Sequence, residues 1–355
     1  MLEEKYNEAY EEFLLKSAIT LFYASNEYRK LLKSFLPIED YYFIAVNEKR
    51  EIVGALPSFL IRGKEMGNIL NSLPFYGSNG SIIEYENNGK VKEALLGAFQ
   101  QFGHNNNCIS MTIITSPFEK DLDFYETNLK YDFRDQRIGL ITRLPKNGPY
   151  LSDELMRLVH YKTRNIRKAL KTGVTVACGG THADFAFLAE THLMNMKAIG
   201  GIPKPYAFFE QIPLMLEYGK HYEIFTAYIN GLRVAALLLF YFNKTVEYFT
   251  PVVLEEYRTF QPLSLIIFEA MKHAARKEFN WWNWGGTWSS QNGLYRFKKR
   301  WGTEEKPYFY YTKLIDTRIL NVRKDELLNQ YPYSYVLPFG RLKNEKSGDC
   351  SENDV

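Results

Sequence analysis

Basic residues within one predicted helix have the spacing needed to bind phosphate. The segment YKTRNIRKALKT (161–172) is followed by Gly173, a residue type that commonly ends helices. Its basic residues recur at intervals of three and four, which places them on one face of the helix: Arg164, Arg167, Lys168 and Lys171. Such a face could hold a phosphate or diphosphate, with arginine supplying bidentate hydrogen bonds. A solvated helix face without a ligand is the ordinary alternative.

A second segment, WNWGGTWSSQNGLYRFKKRWG (282–302), combines glycines with a basic stretch. A predicted strand ends at Gly285 and Gly286, and glycine at such a position lets a ligand or another backbone approach closely. A polar loop containing Trp288 follows, and then Phe297 and Lys298. We expect Trp288 to reach a binding cleft, whereas the tryptophans of the strand fill a core. The alternative is a glycine loop with a solvated helix behind it.

Tyr248 lies in the middle of a predicted strand, TVEYFTPV (245–252), where it could hydrogen-bond a substrate. Side chains alternate along a strand, so Glu247 and Tyr248 face opposite sides and only one of them can point into a site. A buried core tyrosine is the competing interpretation. No histidine pair has metal-ligand spacing and no Ser-His-Asp grouping stands out, so direct transfer without a covalent enzyme intermediate fits the sequence better.

Length and composition limit the classes of protein that this chain can be. Its 355 residues predict two domains, and 46% hydrophobic with 16% aromatic residues is the composition of a folded globular protein. A net charge of +3 is too small for a dedicated nucleic-acid coat protein, and we expect no DNA partner. Three widely spaced cysteines exclude a disulfide framework and a cysteine-based zinc site, so we expect no metal and a reducing compartment.

The sequence also predicts where the protein works. Its first residues are acidic and amphipathic, whereas a signal peptide needs a basic start and an apolar run. The longest apolar stretch (234–242) is about half as long as a membrane-spanning helix. We therefore expect a cytoplasmic protein without a transmembrane segment, able to act peripherally at a membrane. A monomer is the default expectation, because no long apolar patch or heptad repeat is visible.

The two halves of the chain share an order of predicted elements. A strand at 41–46 turns into a strand at 51–63, and a strand at 222–229 passes through Asn230-Gly231, a strong hairpin signal, into a strand at 232–242. In each half a strand, a helix and another strand follow. In the first half these are a strand at 81–85, a helix at 91–102 and a strand at 109–115. In the second half they are a strand at 246–251, a helix that begins near Pro262 and a strand at 280–284. Duplication explains this order better than chance alternation does.

The pattern G-L-x-x-F-K-x-x-W-G (293–302), after a strand that ends in glycine, resembles the FemA/FemB/FemX peptidyltransferases and the wider FemAB-like, acetyltransferase-6-type proteins of the GNAT superfamily. The basic helix (162–169) and G-G-I-P-K-P (200–205) agree with this resemblance, which extends over roughly residues 20–315. It implies an α/β (α+β) fold of tandem GNAT-like acyltransferase domains, each a mixed sheet flanked by helices, with a cleft between them.

The domain boundaries that we expect follow from this resemblance. They are an N-terminal GNAT-like domain at 1–148, a C-terminal GNAT-like domain with the F-K motif at 149–315, an extension at 316–343 that packs back on the body, and a disordered tail at 344–355. The tail is polar and lacks periodicity.

The resemblance also implies roles for particular residues. The lysine of the F-K pair, here Lys298, would lie at the donor carbonyl with Phe297 beside it, where a fixed cation stabilises the oxyanion that forms. Tyr248 matches a tyrosine of the corresponding strand, which makes it a second catalytic candidate. The substrate-binding candidates are Phe297, Arg164, Arg167, Lys168, Gly285, Gly286 and Trp288.

Two features of this sequence depart from the patterns of the proteins that it resembles. The position at which an acetyl-CoA-binding GNAT protein has R/Q-x-x-G-x-G/A reads PVVLEEYRTFQPLS (251–264), without glycine, which disfavours ordinary acetyl-CoA binding. The long helical hairpin of FemA and FemB has no room between Ala169 and Asp184, so FemX is the better comparison.

Three functions remain open at this stage. The leading one is an acyl- or aminoacyl-transferase that forms an amide on an amine of a small-molecule or lipid-linked cell-envelope precursor, a peptidoglycan peptide or an amino sugar. The resemblance to FemX implies charged tRNA as a possible donor and partner, and acyl-CoA or acyl carrier protein stays open as the donor. The second is N-acylation of a sugar or amino acid from acyl-CoA or acyl carrier protein. The third is a non-catalytic module that binds a glycan or nucleotide sugar. We expect the donor to be a co-substrate rather than a bound cofactor.

Overall fold

The computed structural model describes residues 1–75, 80–86, 88–288, 291–338 and 341. The tail expected at 344–355 lies outside these residues.

The described chain is mixed α/β. Its strands are β1 (Ile38–Asp40), β2 (Phe43–Val46), β3 (Ile52–Leu56), β4 (Phe59–Arg62), β5 (Asn68–Asn71), β6 (Ile83–Glu84), β7 (Cys108–Ile114), β8 (Phe133–Arg143), β9 (Thr175–Gly179), β10 (Tyr222–Ile229), β11 (Leu232–Phe242), β12 (Thr245–Val253), β13 (Trp281–Thr287) and β14 (Thr303–Leu314). Its α-helices are α1 (Asn7–Leu15), α2 (Asn26–Phe35), α3 (Gly89–Asn105), α4 (Leu122–Asn128), α5 (Leu151–Leu158), α6 (Thr163–Lys171), α7 (His182–Ala198), α8 (Tyr206–Met215), α9 (Pro262–Arg276), α10 (Asn292–Lys299) and α11 (Lys324–Gln330).

The chain forms two compact units, and each is built from separate segments. Unit 1 contains residues 1–13, 36–136 and the described residues from Tyr308 onward, and unit 2 contains 14–35 and 137–307. The boundary between the units at 136/137 lies 12 residues before the domain boundary expected at 148/149. Residues 14–35, which were expected in the N-terminal domain, are part of unit 2. The part of β14 from Tyr308 onward and α11 are part of unit 1.

Unit 1 contains a sheet in the order β1-β4-β5-β7-β14, with β5 and β7 parallel, and a smaller sheet in the order β2-β3-β6. The prediction of a single strand at 51–63 was wrong. It divides into β3 and β4, which belong to different sheets, at Pro57 and Ser58. Proline lacks the N–H needed to continue a ladder, so the chain changes sheet there. The core of this unit lies between α3 and its strands, around Leu96, Phe99 and Met111.

Unit 2 contains the sheet that carries the predicted motifs, in the order β8-β13-β12-β11-β10-β9. The expected hairpin is confirmed: β10 pairs with β11 through Asn230 and Gly231, which both have positive φ. Only β12 and β13 run parallel in this sheet, among the described residues. Helix α9, with Pro262 in its first turn, packs on one face of the sheet together with α5 and α6. Helices α7, α8 and α2 belong to a second layer, in which α7 contacts β11 and β12 and α2 contacts α8.

Candidate active site

Lys298 is a buried lysine near the last turn of α10. Its side chain is only 5% exposed, and its Nζ donates a hydrogen bond to the carbonyl oxygen of Gly286 at 3.3 Å. Burial lowers the pKa of Lys298 to about 8, because the charged ammonium loses its hydration. The described residues place no carboxylate in an ion pair with it. This ammonium is therefore poised to bind an oxygen atom that acquires negative charge.

An aromatic cluster holds the helix that carries Lys298. The Phe297 ring lies 6.5 Å from the ring of Trp284 and 6.2 Å from that of Trp301. The Trp284 indole donates a hydrogen bond of 2.9 Å to the hydroxyl of Thr142, which donates to the Trp301 carbonyl at 2.9 Å. Because these groups are buried and hydrogen-bonded, they fix α10 against the sheet. Phe297 therefore positions its neighbour through core packing.

Lys162 is a second buried cation, and it is not among the site residues predicted from the sequence. It is 4% exposed, and its Nζ lies 4.1 Å from the ring centroid of Phe297 and 5.5 Å from that of Trp301. Burial and the nearby Arg300 lower the pKa of Lys162 to about 8. The signal was present in the sequence, because Lys162 shares helical spacing with the buried residues Ile166 and Ala169.

The glycine pair of β13 forms a turn beside Lys298. Gly285 has φ of +68°, the left-handed region in which a side chain would be strained, and its N–H donates to the Asn283 side-chain oxygen at 2.9 Å. The register of β13 against β8 shifts between Asn283 and Gly286, as in a β-bulge. The bulge presents the Gly286 carbonyl to the Lys298 ammonium.

Strands β12 and β13 separate beside this turn. Their parallel pairing covers three residue pairs and ends with Glu247 opposite Asn283, although both strands continue. Beyond this pair, β12 has its own irregularity between Tyr248 and Thr250. The separation leaves the backbone groups of two adjacent strands unpaired with each other, next to Lys298.

Glu247 is a buried acid that the sequence did not identify as a site residue. It is 1% exposed, and its Oε2 accepts hydrogen bonds from the Tyr23 hydroxyl at 3.0 Å and from the Asn283 amide at 2.8 Å. Burial raises the pKa of Glu247 to about 8, an effect that outweighs the two hydrogen bonds. Its other oxygen has no partner among the described residues.

The remaining candidates occupy different surroundings. Tyr248 is 8% exposed, and its ring lies 4.9 Å from that of Trp284 within the core; burial raises its pKa. Its catalytic role stays a prediction. Trp288 is half-buried, and the guanidinium of the buried Arg137 lies over its ring. Whether Trp288 reaches a substrate also stays a prediction.

The basic face predicted for α6 is present. Arg164, Arg167, Lys168 and Lys171 are all exposed, whereas Ile166 and Ala169 are buried on the side toward α9. Within the described residues, these four cations form no ion pair with a carboxylate. The face is therefore open to an anionic ligand.

The turn that leads from β12 into α9 lacks the features of a pyrophosphate site. It forms a 3₁₀ helix, Glu255–Phe260, with exposed carboxylates at Glu255 and Glu256. Gln261 precedes α9 with φ of +62°, and its side-chain oxygen accepts a hydrogen bond from Asn165 at 2.8 Å. Arg258 of the same 3₁₀ helix pairs with Glu255, so the turn carries one net negative charge and no glycine at the position where backbone N–H groups would hold a phosphate.

Neither metal binding nor membrane spanning has support in the described part of the chain. No group of three or more His, Cys, Asp or Glu side chains there is arranged to hold a metal ion. No helix among those residues is both long and apolar enough to cross a bilayer.

Comparison with protein families places this site within a known domain. Residues 159–299, which include α6, β12, β13 and Lys298, match the model of the acetyltransferase (GNAT) domain. No curated protein sequence matches the chain significantly.

Solved structures show the same fold over most of the chain. A crystal structure of FemX has a TM-score of 0.72 at 16% identity, covering 90% of this chain and 98% of that one. A tandem GNAT protein from the clavulanic acid pathway has a TM-score of 0.52 at 10% identity, covering 88% and 95%. The C-terminal domain of a putative lysylphosphatidylglycerol synthetase from Agrobacterium fabrum has a TM-score of 0.52 at 11% identity. That match covers 87% of this chain and 91% of the other one.

These comparisons confirm the fold expected from the sequence, tandem GNAT-like domains built from mixed sheets and helices. They also confirm the resemblance to FemAB-like proteins. Residues 159–299 therefore carry a GNAT-type acetyltransferase domain, which supports the classification of the protein as an acyltransferase.

Proposed function

We propose that this FemAB-like acyltransferase is a cytoplasmic enzyme that forms an amide on an amine of a cell-envelope precursor, a peptide stem or an amino sugar. The observation that carries the proposal is the Lys298 ammonium, which is buried, has no carboxylate partner among the described residues and lies where β12 and β13 separate. A cation in these surroundings suits a reaction in which charge develops on a carbonyl oxygen.

The reaction that we propose is direct transfer, without a covalent enzyme intermediate. The acceptor amine attacks the donor carbonyl carbon, a C–N bond forms, and the C–O or C–S bond of the donor breaks. The attacking nitrogen loses a proton, and the leaving oxygen or sulfur takes one up. Lys298 stabilises the intermediate oxyanion, an effect typically worth about 3 kcal/mol, or a rate factor of about 100.

The basic face of α6 supports a phosphate-bearing acceptor. Arg164 and Arg167 can each offer two parallel N–H groups to a phosphate, and Lys168 adds a point charge. Peptide and sugar precursors of the envelope that are activated as nucleotide or lipid diphosphates carry this chemistry. Acceptor phosphates would therefore bind α6, while the amine lies near Lys298.

The turn before α9 favours charged tRNA over acyl-CoA as the donor. The turn has no glycine to bring backbone N–H groups close to the CoA pyrophosphate. Its exposed carboxylates at Glu255 and Glu256 outnumber its one basic residue, Arg258, which is paired with Glu255. Acyl-CoA or acyl carrier protein is the second candidate, favoured by the GNAT domain match itself. A non-catalytic binding module is the third candidate, and the match of residues 159–299 to an acetyltransferase domain favours an enzyme over it.

Thermal unfolding against a donor panel tests this proposal. The panel contains a non-hydrolysable aminoacyl-minihelix, acetyl-CoA, longer acyl-CoAs and acyl carrier protein, each with and without UDP-linked sugar and peptide precursors. A ligand that binds the folded state raises the midpoint by mass action. A rise with the minihelix that increases further with a UDP-linked precursor is expected. A rise with CoA species alone would reject charged tRNA as the donor.

A further inference from the structure

Glu247 and Asn283 join the two strands at the point where they separate. They are the last residue pair of the parallel β12–β13 ladder, and their side chains are hydrogen-bonded across it at 2.8 Å. A side-chain bond at this position fixes the spacing of the strands just before they diverge. Removing it would leave buried polar atoms without partners, which is costly.

Asn283 connects this pair to the glycine turn. Its amide group donates to Glu247, and its carbonyl oxygen accepts the N–H of Gly285 at 2.9 Å. Both ends of the Asn283 amide are thus used, so the orientation of the amide is determined by Glu247. The left-handed Gly285 is followed by Gly286, whose carbonyl accepts the hydrogen bond from Lys298.

A third contact comes from a distant part of the chain. Tyr23, in the 3₁₀ helix Phe22–Ala24, donates its hydroxyl to the same oxygen of Glu247 at 3.0 Å. This segment lies outside the residues that match the GNAT domain. Two donors therefore converge on Oε2, and no described Lys, Arg or His forms an ion pair with Glu247. The facing residue of β11 is Phe240, which is apolar.

These surroundings favour the neutral acid. A carboxylate here would be a buried charge without a cation, and burial raises the pKa of Glu247 accordingly. In the neutral form Oε2 accepts both hydrogen bonds, and the proton resides on Oε1. Glutamine reproduces this arrangement, with its carbonyl oxygen in place of Oε2.

The inference rests on the role proposed for Lys298. We infer that Glu247 is a positioning residue for this lysine: it orients Asn283, Asn283 holds the turn at Gly285, and the turn presents the Gly286 carbonyl to the ammonium. The aromatic cluster holds α10 from the other side, so loss of Glu247 would leave Lys298 buried without its carbonyl acceptor.

Nuclear magnetic resonance of lysine-labelled protein tests this chain of contacts without requiring a substrate. The Lys298 signal is identified as the one lost in Lys298→Met, and its pKa is followed in full-length Glu247→Gln, Glu247→Ala and Asn283→Ala. Thr250→Val is the matched control, since Thr250 is buried on the same strand and its hydroxyl has no partner among the described residues. Thermal unfolding establishes that each variant is folded.

The expected results differ between the variants. Glu247→Ala and Asn283→Ala lower the Lys298 pKa by roughly half a unit or more, because a hydrogen bond to the charged form is lost. Glu247→Gln and the control leave it unchanged. Unchanged Lys298 titration in both alanine variants would overturn the inference. A shift in Glu247→Gln as large as in Glu247→Ala would also overturn it, because the side chain would then act through its ionisation.

Turnover separates this inference from the proposed function. With a working substrate pair, the alanine variants lose kcat by about tenfold with little change in KM, and Glu247→Gln retains it. If Lys298→Met keeps full activity while the NMR shifts appear as expected, the proposed role of Lys298 fails and the positioning contact stands. If Lys298→Met is inactive and the NMR shifts are absent, the reverse holds.

Discussion

The Lys162 ammonium lies 4.1 Å from the centre of the Phe297 ring, so the residue that precedes Lys298 is itself in contact with a second buried cation. Lys162 begins the basic helix, and Phe297 belongs to the F-K motif. Two motifs that are far apart in sequence therefore meet through a cation–π contact, which is typically worth about 1–2 kcal/mol when desolvated. This contact ties α6 to α10.

Lys162→Met should increase stability at neutral pH. Burial lowers the folded-state pKa of Lys162 to about 8, so the cost of the buried charge is full below that pH and disappears as pH rises toward the unfolded value. Methionine keeps the apolar stem and removes the charge, with an expected gain of about 1 kcal/mol after the lost cation–π contact is allowed for.

Urea unfolding of Lys162→Met at neutral and at alkaline pH measures this effect. The exposed Lys171→Met, on the same helix, is the control and should change the free energy of unfolding by less than about 0.5 kcal/mol. A loss of stability at neutral pH that shrinks at alkaline pH would mean that the cation–π contact outweighs desolvation.

The transfer rate should fall on the alkaline side of the Lys298 pKa. Only the protonated lysine stabilises the oxyanion, and burial lowers its pKa to about 8. In Lys298→Arg any residual activity should lack this fall, because the guanidinium remains charged. The measurement is kcat/KM across pH, with Lys299→Arg as the adjacent control. An alkaline fall that persists unchanged in Lys298→Arg would assign it to another group.

Glu247→Gln should gain stability relative to wild type as pH rises. Burial raises the folded-state pKa of Glu247 to about 8, so above the unfolded value the folded protein retains a proton that the unfolded chain has lost. Wild-type stability therefore falls over this interval, by at most about 1.4 kcal/mol for each pH unit, whereas glutamine does not titrate.

Denaturant midpoints for Glu247→Gln at acidic and mildly alkaline pH detect this change. Glu223→Gln provides a contrast of opposite sign: burial acts to raise the Glu223 pKa, but hydrogen bonds from His273 and Tyr241 outweigh it and the pKa is lowered. Removing that carboxylate should cost stability at neutral pH. A pH-independent difference between wild type and Glu247→Gln would show that the pKa of Glu247 is the same in the folded and unfolded protein.

Charge reversal on α6 should weaken acceptor binding without unfolding the protein. Arg164→Glu combined with Arg167→Glu should raise KM for a phosphate-bearing acceptor by roughly 10- to 100-fold, and this effect should shrink at high salt. Lys49→Glu, at an exposed turn of unit 1, is the control. Unchanged KM in the double variant would exclude α6 as the phosphate site.

Local signals in the sequence were sufficient for much of the fold. Asn230-Gly231 fixes the β10–β11 hairpin because both residues adopt positive φ, and Pro262 marks the first turn of α9. The strand predicted at 51–63 failed because apolar residues on both sides of Pro57 hid a change of sheet.

The site was only partly predictable. Lys298, Gly285 and Gly286 belong to a motif, and the structure brings them together through one hydrogen bond. Glu247 and Lys162 were missed because a charged side chain is expected to be exposed to solvent unless its partners in the fold are known. Their burial depends on Tyr23 and Phe297, which are more than a hundred positions away in the chain.

Single-turnover transfer with Lys298→Met is the most direct test of the proposed chemistry. Wild type, Lys298→Met and the exposed Lys299→Met are each mixed with charged tRNA and a UDP-linked peptide precursor, and amide formation is followed by mass spectrometry. We expect transfer by wild type and Lys299→Met, and a rate at least about 100-fold lower for Lys298→Met with donor binding retained. Equal rates for Lys298→Met and wild type would show that Lys298 does not stabilise the transition state.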